Sequence, residues 1–364
     1  MGIAGGYGAT GRAVAAELLN SCNCELLIGG RDAARLDAMA SQLGRRVSVA
    51  QLDVLSPNSL DSFCSRCSVL VNCGGPVMLL QDHVAQAALR ARCHYVDPAG
   101  MGVVKERLLP HNRKIADLGL SFVISAGWMP GLTELLPFYA HLRAKSQMGS
   151  VDSVSVYSSD SGEWSDNAMR DGVFYLRRAG ISKPGYFCRG AWTHVQMSEA
   201  SSRIDLGPPI GIRRFGLYFM PESNELGRQL FDCDFRSYAY LAGWRNALAA
   251  ISLALLPFPE SVGVRLLRGV FRRNRLPVRG FVIAHALGSA QGRSAALKTQ
   301  ITFGDGQDYW VNGVVMATAA RMIAAGGGIQ AGLHYLFDAV DPISFMAELR
   351  KTGVQQTETV EVCQ

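Results

Sequence analysis

The chain has 364 residues, more than one hydrophobic core ordinarily serves, so two domains are expected. Hydrophobic residues make up 48% and charged residues 18%, which excludes wholesale disorder. The formal charge of +6 is local: Arg265, Arg268, Arg272, Arg273, Arg275 and Arg279 fall in one stretch without an acid, and that stretch lacks the interleaved aromatics of a nucleic-acid surface.

Gly2-Ile3-Ala4 is a short first strand, followed by Gly6-Tyr7-Gly8-Ala9-Thr10-Gly11 and a helix of good formers over 13–19. A second strand over 25–28 closes at Gly29-Gly30-Arg31, and Asp32 is placed to cap a helix over 33–43. A third strand, 47–52, ends at Asp53. A helix follows Ser56-Pro57, and a fourth strand, 68–72, is apolar enough to be buried on both faces. The turn Cys73-Gly74-Gly75-Pro76, a helix over 83–91, a strand over 94–96, a helix over 107–118 and a strand over 121–125 complete the alternation. Alternating strands and helices demand right-handed crossovers and a parallel sheet.

The rhythm then changes. Segments 149–158, 280–287 and 295–303 alternate apolar and polar residues, the last two joined by a turn at Gln291-Gly292. The fold class is therefore α/β: a doubly wound Rossmann sheet over 1–127, then a second, α+β domain with a mainly antiparallel sheet over 128–307. Helices in 308–364 are expected to pack back on the first domain. The Ala- and Leu-rich segment 241–258 is interrupted by Arg245 and Asn246 and ended by Pro257, so its apolar part falls short of the roughly 18–20 residues a membrane span needs. It is expected to be a buried helix, or one lining an apolar pocket.

Nine cysteines are scattered, and glycine fills the first residues where a signal peptide would need a basic segment and an apolar run. Free thiols and a cytoplasmic location are expected. Cys64-Ser-Arg-Cys67 has CxxC spacing but no second pair beside it, and no His/Cys/Asp/Glu grouping has metal spacing, so no metal is expected.

The glycine hexad carries the first chemical statement. It follows a strand and opens a helix, the context in which Gly6 permits a tight turn, Gly8 lets a pyrophosphate approach, and Gly11 lets helix and strand pack closely. Free amides at the helix start face the anion, and Thr10 can add a hydroxyl. An acid at the end of the second strand would favour NAD; Arg31 stands there instead, suited to the 2′-phosphate of NADPH, although Asp32 is one place late and can still meet a ribose. Asp53 is either an adenine contact or a turn carboxylate. The loop Asn72, Cys73, Gly74, Gly75, Pro76 leaves a strand at its carboxyl end and is expected along the pyrophosphate and nicotinamide ribose.

GGYGATGR, LLIGGRD, LDV, VNCGGP and HYVDPAG, in this order, resemble the NADP-binding half of the saccharopine reductases and their relatives. The segment from Ser125 to Leu132 resembles that family's glycine–x–x–proline–glycine crossing between domains. The resemblance implies an NADPH-dependent oxidoreductase acting on carbon–nitrogen bonds, and a homodimer through the second domain. Two departures are informative: Met129 stands where the family carries an aspartate, and Ser158 where it carries a cysteine. Trp128 and Met129 are either an apolar floor for substrate or ordinary core. An aromatic or sulfur-bearing substrate suits such a floor, and the thiazolinyl imine reductases of the enantio-pyochelin type are similar in length and layout. Their substrates ride on carrier proteins, which are usually acidic. The cluster Arg265–Arg279 is then either a solvated face or the docking patch for such a carrier.

Imine reduction needs a hydride and a proton. Asp160 and Glu163, after the first strand of the second domain, are candidate acids or else caps. Tyr95 and Asp97 follow the fifth strand of the first domain. His194, between aromatic neighbours, is a candidate acid or a packed core histidine. The leading reading is an NADPH-dependent reductase of a thiazoline or cyclic imine. An opine- or saccharopine-type amino-acid dehydrogenase and a non-catalytic NADPH sensor are the alternatives.

Overall fold

A computed structural model describes residues 1–362 except 163, 180–182, 241–242, 274–275, 279 and 305. Glu163, Arg275 and Arg279 thus lie outside the described residues. The chain divides into two compact units, one made of Met1–Gly131 with Tyr309–Val354, the other of Leu132–Asp308 with the segment from Gln355 onward. The segment 308–364 is therefore shared between them.

The first unit is built on a parallel sheet. Its strands are β1 (Gly2–Ala4), β2 (Leu26–Gly30), β3 (Val47–Gln51), β4 (Val69–Asn72), β5 (His94–Val96) and β6 (Ser121–Ile124). Every residue of β1, β2, β4 and β6 is buried, as a sheet covered on both faces requires. β1 lies centrally, with Ile3 in register with Ile28 on one side and Val71 on the other. The order is β6-β5-β4-β1-β2-β3, extended beyond β6 by the strand Gly332–Tyr335. That seventh strand comes from far along the chain and pairs parallel to β6. Asn112 pins it by accepting the Leu333 N–H at 2.8 Å.

The helices follow their caps. Asp32 caps Ala33–Leu43 and Ser56 caps Pro57–Cys64, each accepting an N–H three residues on. The helix expected over 107–118 is broken into Val103–Leu108, a 3-10 turn at Leu109–His111, and Asn112–Asp117. Pro110 accounts for the break, since it has no N–H to donate to the helical ladder. Farther on, the helix Asp308–Ala324 lies against Ala9–Ser21 within the first unit. An added Cβ on Gly313 would come within 2.4 Å of Ala13 Cβ. Arg321 pairs with Glu348 at 2.8 Å and ties this helix to Pro342–Arg350.

The second unit holds a mixed sheet. β7 (Ser150–Asp160) lies at its middle, antiparallel to Gly280–Ala290, which pairs in turn with Arg293–Phe303 through the expected turn at Gln291-Gly292. The strand Gln356–Val362 forms one edge. On the other side of β7 stands Asp234–Tyr240, the parallel neighbour in an otherwise antiparallel arrangement. Tyr157 stacks on Tyr238 with ring centroids 5.1 Å apart, and Phe215, Phe281 and Ile283 complete that core. A second cluster, Met169, Val173, Leu253 and Leu267, joins the helices Asp166–Ala179, Gly243–Leu255 and Glu260–Arg273. Gly243–Leu255 differs from the expectation of a buried helix. It buries Asn246 and Leu253 yet turns Leu248, Ile251 and Leu255 to solvent.

One glycine of the first unit is sterically obligatory. Gly131 has a φ of +130°, and an added Cβ would lie 2.0 Å from Gly127 O. Gly131→Ala is expected to cost about 2–4 kcal/mol or to prevent folding. Urea denaturation of the variant beside the parent chain measures it.

Candidate functional site

The glycine turn at the carboxyl end of β1 is held by one acceptor. The N–H groups of Gly5 and Gly6 both donate to Gly29 O at 3.0 Å. Gly5, not Gly6, takes the left-handed conformation, with φ +74°. Gly6 is restricted for another reason: an added Cβ would meet Ile28 Cγ2 at 2.2 Å. Gly11 is the close-packing glycine, with Gly5 O, Gly6 Cα and Gly6 O all 2.6 Å from its would-be Cβ. Gly8 has a different status. It is exposed, and an added Cβ meets only Gly5 O at 3.3 Å. That contact is tight but far less severe than those at Gly6 and Gly11, and a ligand approaching the backbone would add a stronger demand for glycine.

The helix Ala9–Ser21 begins at Gly8 with no side-chain cap and no acid in its first turn. The next two long helices of this unit are both capped. Uncapped amides at Ala9, Thr10 and Gly11, beside an exposed glycine, fit a diphosphate.

Arginines surround the turn. Arg31 is exposed at the end of β2 and makes no ion pair among the described residues; its carbonyl accepts from Gln51 at 3.1 Å. The Tyr7 ring lies over Gly30, where an added Cβ would be 2.3 Å away. The Arg35 guanidinium sits 5.8 Å from that ring's centroid, and Arg12 Nε donates to Tyr7 O at 3.0 Å. Asp32 is committed elsewhere, accepting the Arg35 N–H at 3.1 Å and pairing with its guanidinium at 3.4 Å. Sequence reasoning found Arg31 and missed Arg12 and Arg35. Their signals were modest: one follows the last glycine of the turn, the other lies in the first turn of the helix after β2. Asp53 is a turn carboxylate, its Oδ1 accepting the Leu55 N–H at 3.0 Å.

A buried polar line joins the ends of β4 and β5. Asn72 Nδ2 donates to Tyr95 Oη at 3.1 Å, and the Tyr95 hydroxyl donates to Asp97 Oδ2 at 2.7 Å. Asp97 Oδ1 accepts the Ala99 N–H at 2.8 Å, and Asn72 Oδ1 accepts the Gly74 N–H at 3.0 Å. Tyr95 and Asp97 are fully buried. Burial pushes the Asp97 carboxyl up to about 7 and the Tyr95 hydroxyl well above its ordinary range. Tyr95 is thus closed off from solvent with its proton directed at Asp97, and it shapes the Asn72–Pro76 loop. In that loop Cys73 donates its N–H to Ala4 O at 2.8 Å, and burial holds its thiol protonated.

Trp128 is buried, at 4% exposed, and its backbone N–H donates to Asn312 Oδ1 at 2.8 Å. Met129 is only half-buried.

The remaining candidates belong to the second unit. Asp160 is buried and accepts the Gly162 N–H and the Trp164 indole N–H, both at 2.6 Å, the bonding of a loop-forming carboxylate. His194 is exposed on the hairpin Gly185–Cys188/Ala191–His194, where Trp192 Nε1 donates to its Nδ1 at 3.3 Å. It is no packed core histidine. One grouping could not be seen from spacing. His141, Asp232 and Cys233 converge, with Cys233 Sγ 3.7 Å from His141 Nδ1 and Asp232 Oδ1 3.3 Å from His141 Nε2. Opposite ring nitrogens face the thiol and the carboxylate, and Lys145 also holds Asp232 at 2.7 Å. This is the bonding of a hydrogen-bonded line, not of three ligands around one ion.

Residues 3–123 match the family described as the saccharopine dehydrogenase NADP binding domain. That match covers about a third of the chain and lies within the first unit. A probable mitochondrial saccharopine dehydrogenase-like oxidoreductase of Arabidopsis thaliana is 27% identical over 139 residues, covering 35% of this chain and 31% of that relative's length. Among solved structures, saccharopine dehydrogenase (L-Glu forming) of Saccharomyces cerevisiae matches with a TM-score of 0.68 at 15% identity, over 99% of both chains. A probable dehydrogenase of Thermotoga maritima matches with a TM-score of 0.51 at 10% identity, over 98% of this chain and 97% of that one. These structural likenesses support the α/β fold, and the family match makes NADP(H) the cofactor class of the first unit.

Asp97 gives the fold a pH signature. The carboxyl ordinarily titrates at 3.8 and in the folded chain near 7, so between those values the folded state binds more protons than the unfolded one. Its contribution to stability is complete below the lower value and is lost as pH rises through the upper. Asp97→Asn is expected to remove this decline, seen as a flatter melting temperature across the interval in scanning calorimetry.

Proposed function

We propose that the chain is an NADPH-dependent oxidoreductase that reduces a carbon–nitrogen double bond, with a cyclic imine of the thiazoline type, free or carrier-held, as its substrate. The observation that carries the cofactor half is the uncapped helix start behind an exposed Gly8, ringed by Arg12, Arg31 and Arg35. In this reading the amides of Ala9, Thr10 and Gly11 hold the diphosphate and the Thr10 hydroxyl adds a donor. Arg31, with Arg35 and Arg12 near it, takes the 2′-phosphate, which needs paired charge-assisted hydrogen bonds. Asp32, engaged as a helix cap, does not compete for the ribose. The Asn72–Pro76 loop, shaped by Tyr95 and Asp97, borders the nicotinamide ribose.

Bound NADPH supplies the hydride that reduces the carbon of the double bond. The nitrogen takes its proton from solvent water in this reading, because Asp160 and Tyr95 are both committed to internal hydrogen bonds. The imine assignment rests on the saccharopine dehydrogenase-like domain together with two departures from that family's pattern. Met129, half-buried, and Ser158, buried, stand where charged or thiol groups would serve an amino-dicarboxylic substrate.

The test is incubation of the purified chain with NADPH and a panel of thiazolines, other cyclic imines and keto-acid/amine pairs. NADPH consumption with thiazolines supports the reading. Turnover of keto-acid/amine pairs alone assigns an opine-type dehydrogenase instead, and tight NADPH binding without turnover assigns a sensor.

Two variants examine the cofactor site. Gly8→Ala sets its methyl 3.3 Å from Gly5 O, a contact that a shift of a few tenths of an ångström relieves, so the variant should fold with a melting temperature near the parent's, while NADPH affinity falls by about tenfold or more as the methyl blocks the diphosphate. Arg31→Asp should weaken NADPH by about ten- to a hundredfold and leave NADH nearly unchanged, since hydrogen bonds to charged groups contribute roughly 1.5–3 kcal/mol. Fluorescence titration with both cofactors reads both effects.

A further inference from the structure

The helix pair of the second unit presents an inverted surface. Gly243–Leu255 and Glu260–Arg273 bury Leu253, Leu267 and Val270 on their inner sides. Outward, at helical spacing, Gly243–Leu255 shows Leu248, Ile251 and Leu255, where a solvated helix would show polar residues. Leu255 is 60% exposed and Leu248 53%, well beyond a scatter of single apolar residues. The apolar surface continues over the turn between the helices, where Leu256, Pro257 and Pro259 are exposed, and onto Leu266. Arg177 fixes that turn by donating to Phe258 O.

Charge accompanies the apolar face. Glu260 is the sole acid between residues 243 and 273, and it is already paired with Arg170. Arg268 pairs with Asp166. Arg265, Arg272 and Arg273 are exposed on the second helix and make no ion pair among the described residues.

We propose that this helix pair is a docking surface for an anionic lipid bilayer, lying in the interface with Leu248, Ile251, Leu255 and Leu256 in the acyl boundary and the arginines among the headgroups. Three features favour that occupant. A proline-bounded apolar turn between two amphipathic helices suits shallow insertion, and its leucines lie beside arginines that match anionic headgroups. No described helix is long and apolar enough to cross a membrane, so the contact is in-plane. A second copy of the chain fits poorly, because an isologous contact would set arginine against arginine, and the sole acid of the pair, Glu260, is already engaged by Arg170.

The test is co-sedimentation of the full chain with sucrose-loaded vesicles of phosphatidylcholine alone and of phosphatidylcholine mixed with phosphatidylglycerol. The expected result is pelleting with the anionic vesicles only, weakened by high salt. Arg272→Glu with Arg273→Glu should lower the partition coefficient by about thirtyfold or more, each arginine near such a surface being worth about a factor of five. Leu255→Asp with Leu256→Asp, both at exposed positions, should lower it by at least about tenfold. An unchanged melting temperature and NADPH affinity confirm that each variant folds, which keeps this test separate from that of the cofactor site. Wild-type chain that stays in the supernatant with both vesicle types overturns the proposal. Retention of that chain on immobilised polyglutamate would then assign an acidic protein partner, and a dimer in light scattering that Leu255→Asp dissolves would assign a second copy. Pelleting unaffected by either double variant also overturns it.

Discussion

A single carbonyl, that of Gly29, organises the amino-terminal site. By accepting from two successive amides it fastens the turn after β1 to the end of β2. That contact demands a glycine at position 5 for the left-handed backbone and a glycine at 6 to clear Ile28. The turn is held from behind at Gly5 and Gly6, while the first amides of the helix that follows are left without a side-chain cap. The same anchoring brings Tyr7 onto Gly30 and gathers Arg12 and Arg35 around it. The affinity for a phosphorylated dinucleotide inferred above therefore depends on a contact that itself touches no ligand.

The Asn72–Tyr95–Asp97 line has the complementary task of shaping a loop from beneath. Fully buried polar groups are costly unless every member is satisfied, and here the members are joined by hydrogen bonds of 2.7–3.1 Å. The consequence for chemistry is a negative one. A tyrosine at the end of a Rossmann strand invites a catalytic role, yet its burial and its partner make it a strut. The same holds for Asp160, whose two N–H donors fold the loop that follows β7.

The alternating first half of the chain was legible because its strands are buried on both faces and its helices carry their caps in plain view, Asp32 and Ser56 among them. The glycine hexad named the right region, but the division of labour within it was not legible. Gly5 took the role assigned to Gly6, since which glycine turns left-handed depends on where Gly29 and Ile28 stand in space. The strand Gly332–Tyr335 and the grouping of His141 with Asp232 and Cys233 could not be read at all, because only the folded sheets bring those distant residues together. The helix over 243–255 misled for a simpler reason. An apolar sequence implies burial only if a partner is present to bury it, and composition does not name the partner.

The parallel sheet closes with residues 332–335, and the mixed sheet of the other unit closes with residues 356–362. Among the described residues, each of these edges therefore follows every other strand of its sheet along the chain. A nascent chain that has already made every strand of the glycine-turn region still lacks the neighbour for β6 and the helix that seats Gly313 against Ala13. Neither half can mature by itself during synthesis. A chain cut before residue 332 would leave both sheets with open edges, inviting aggregation.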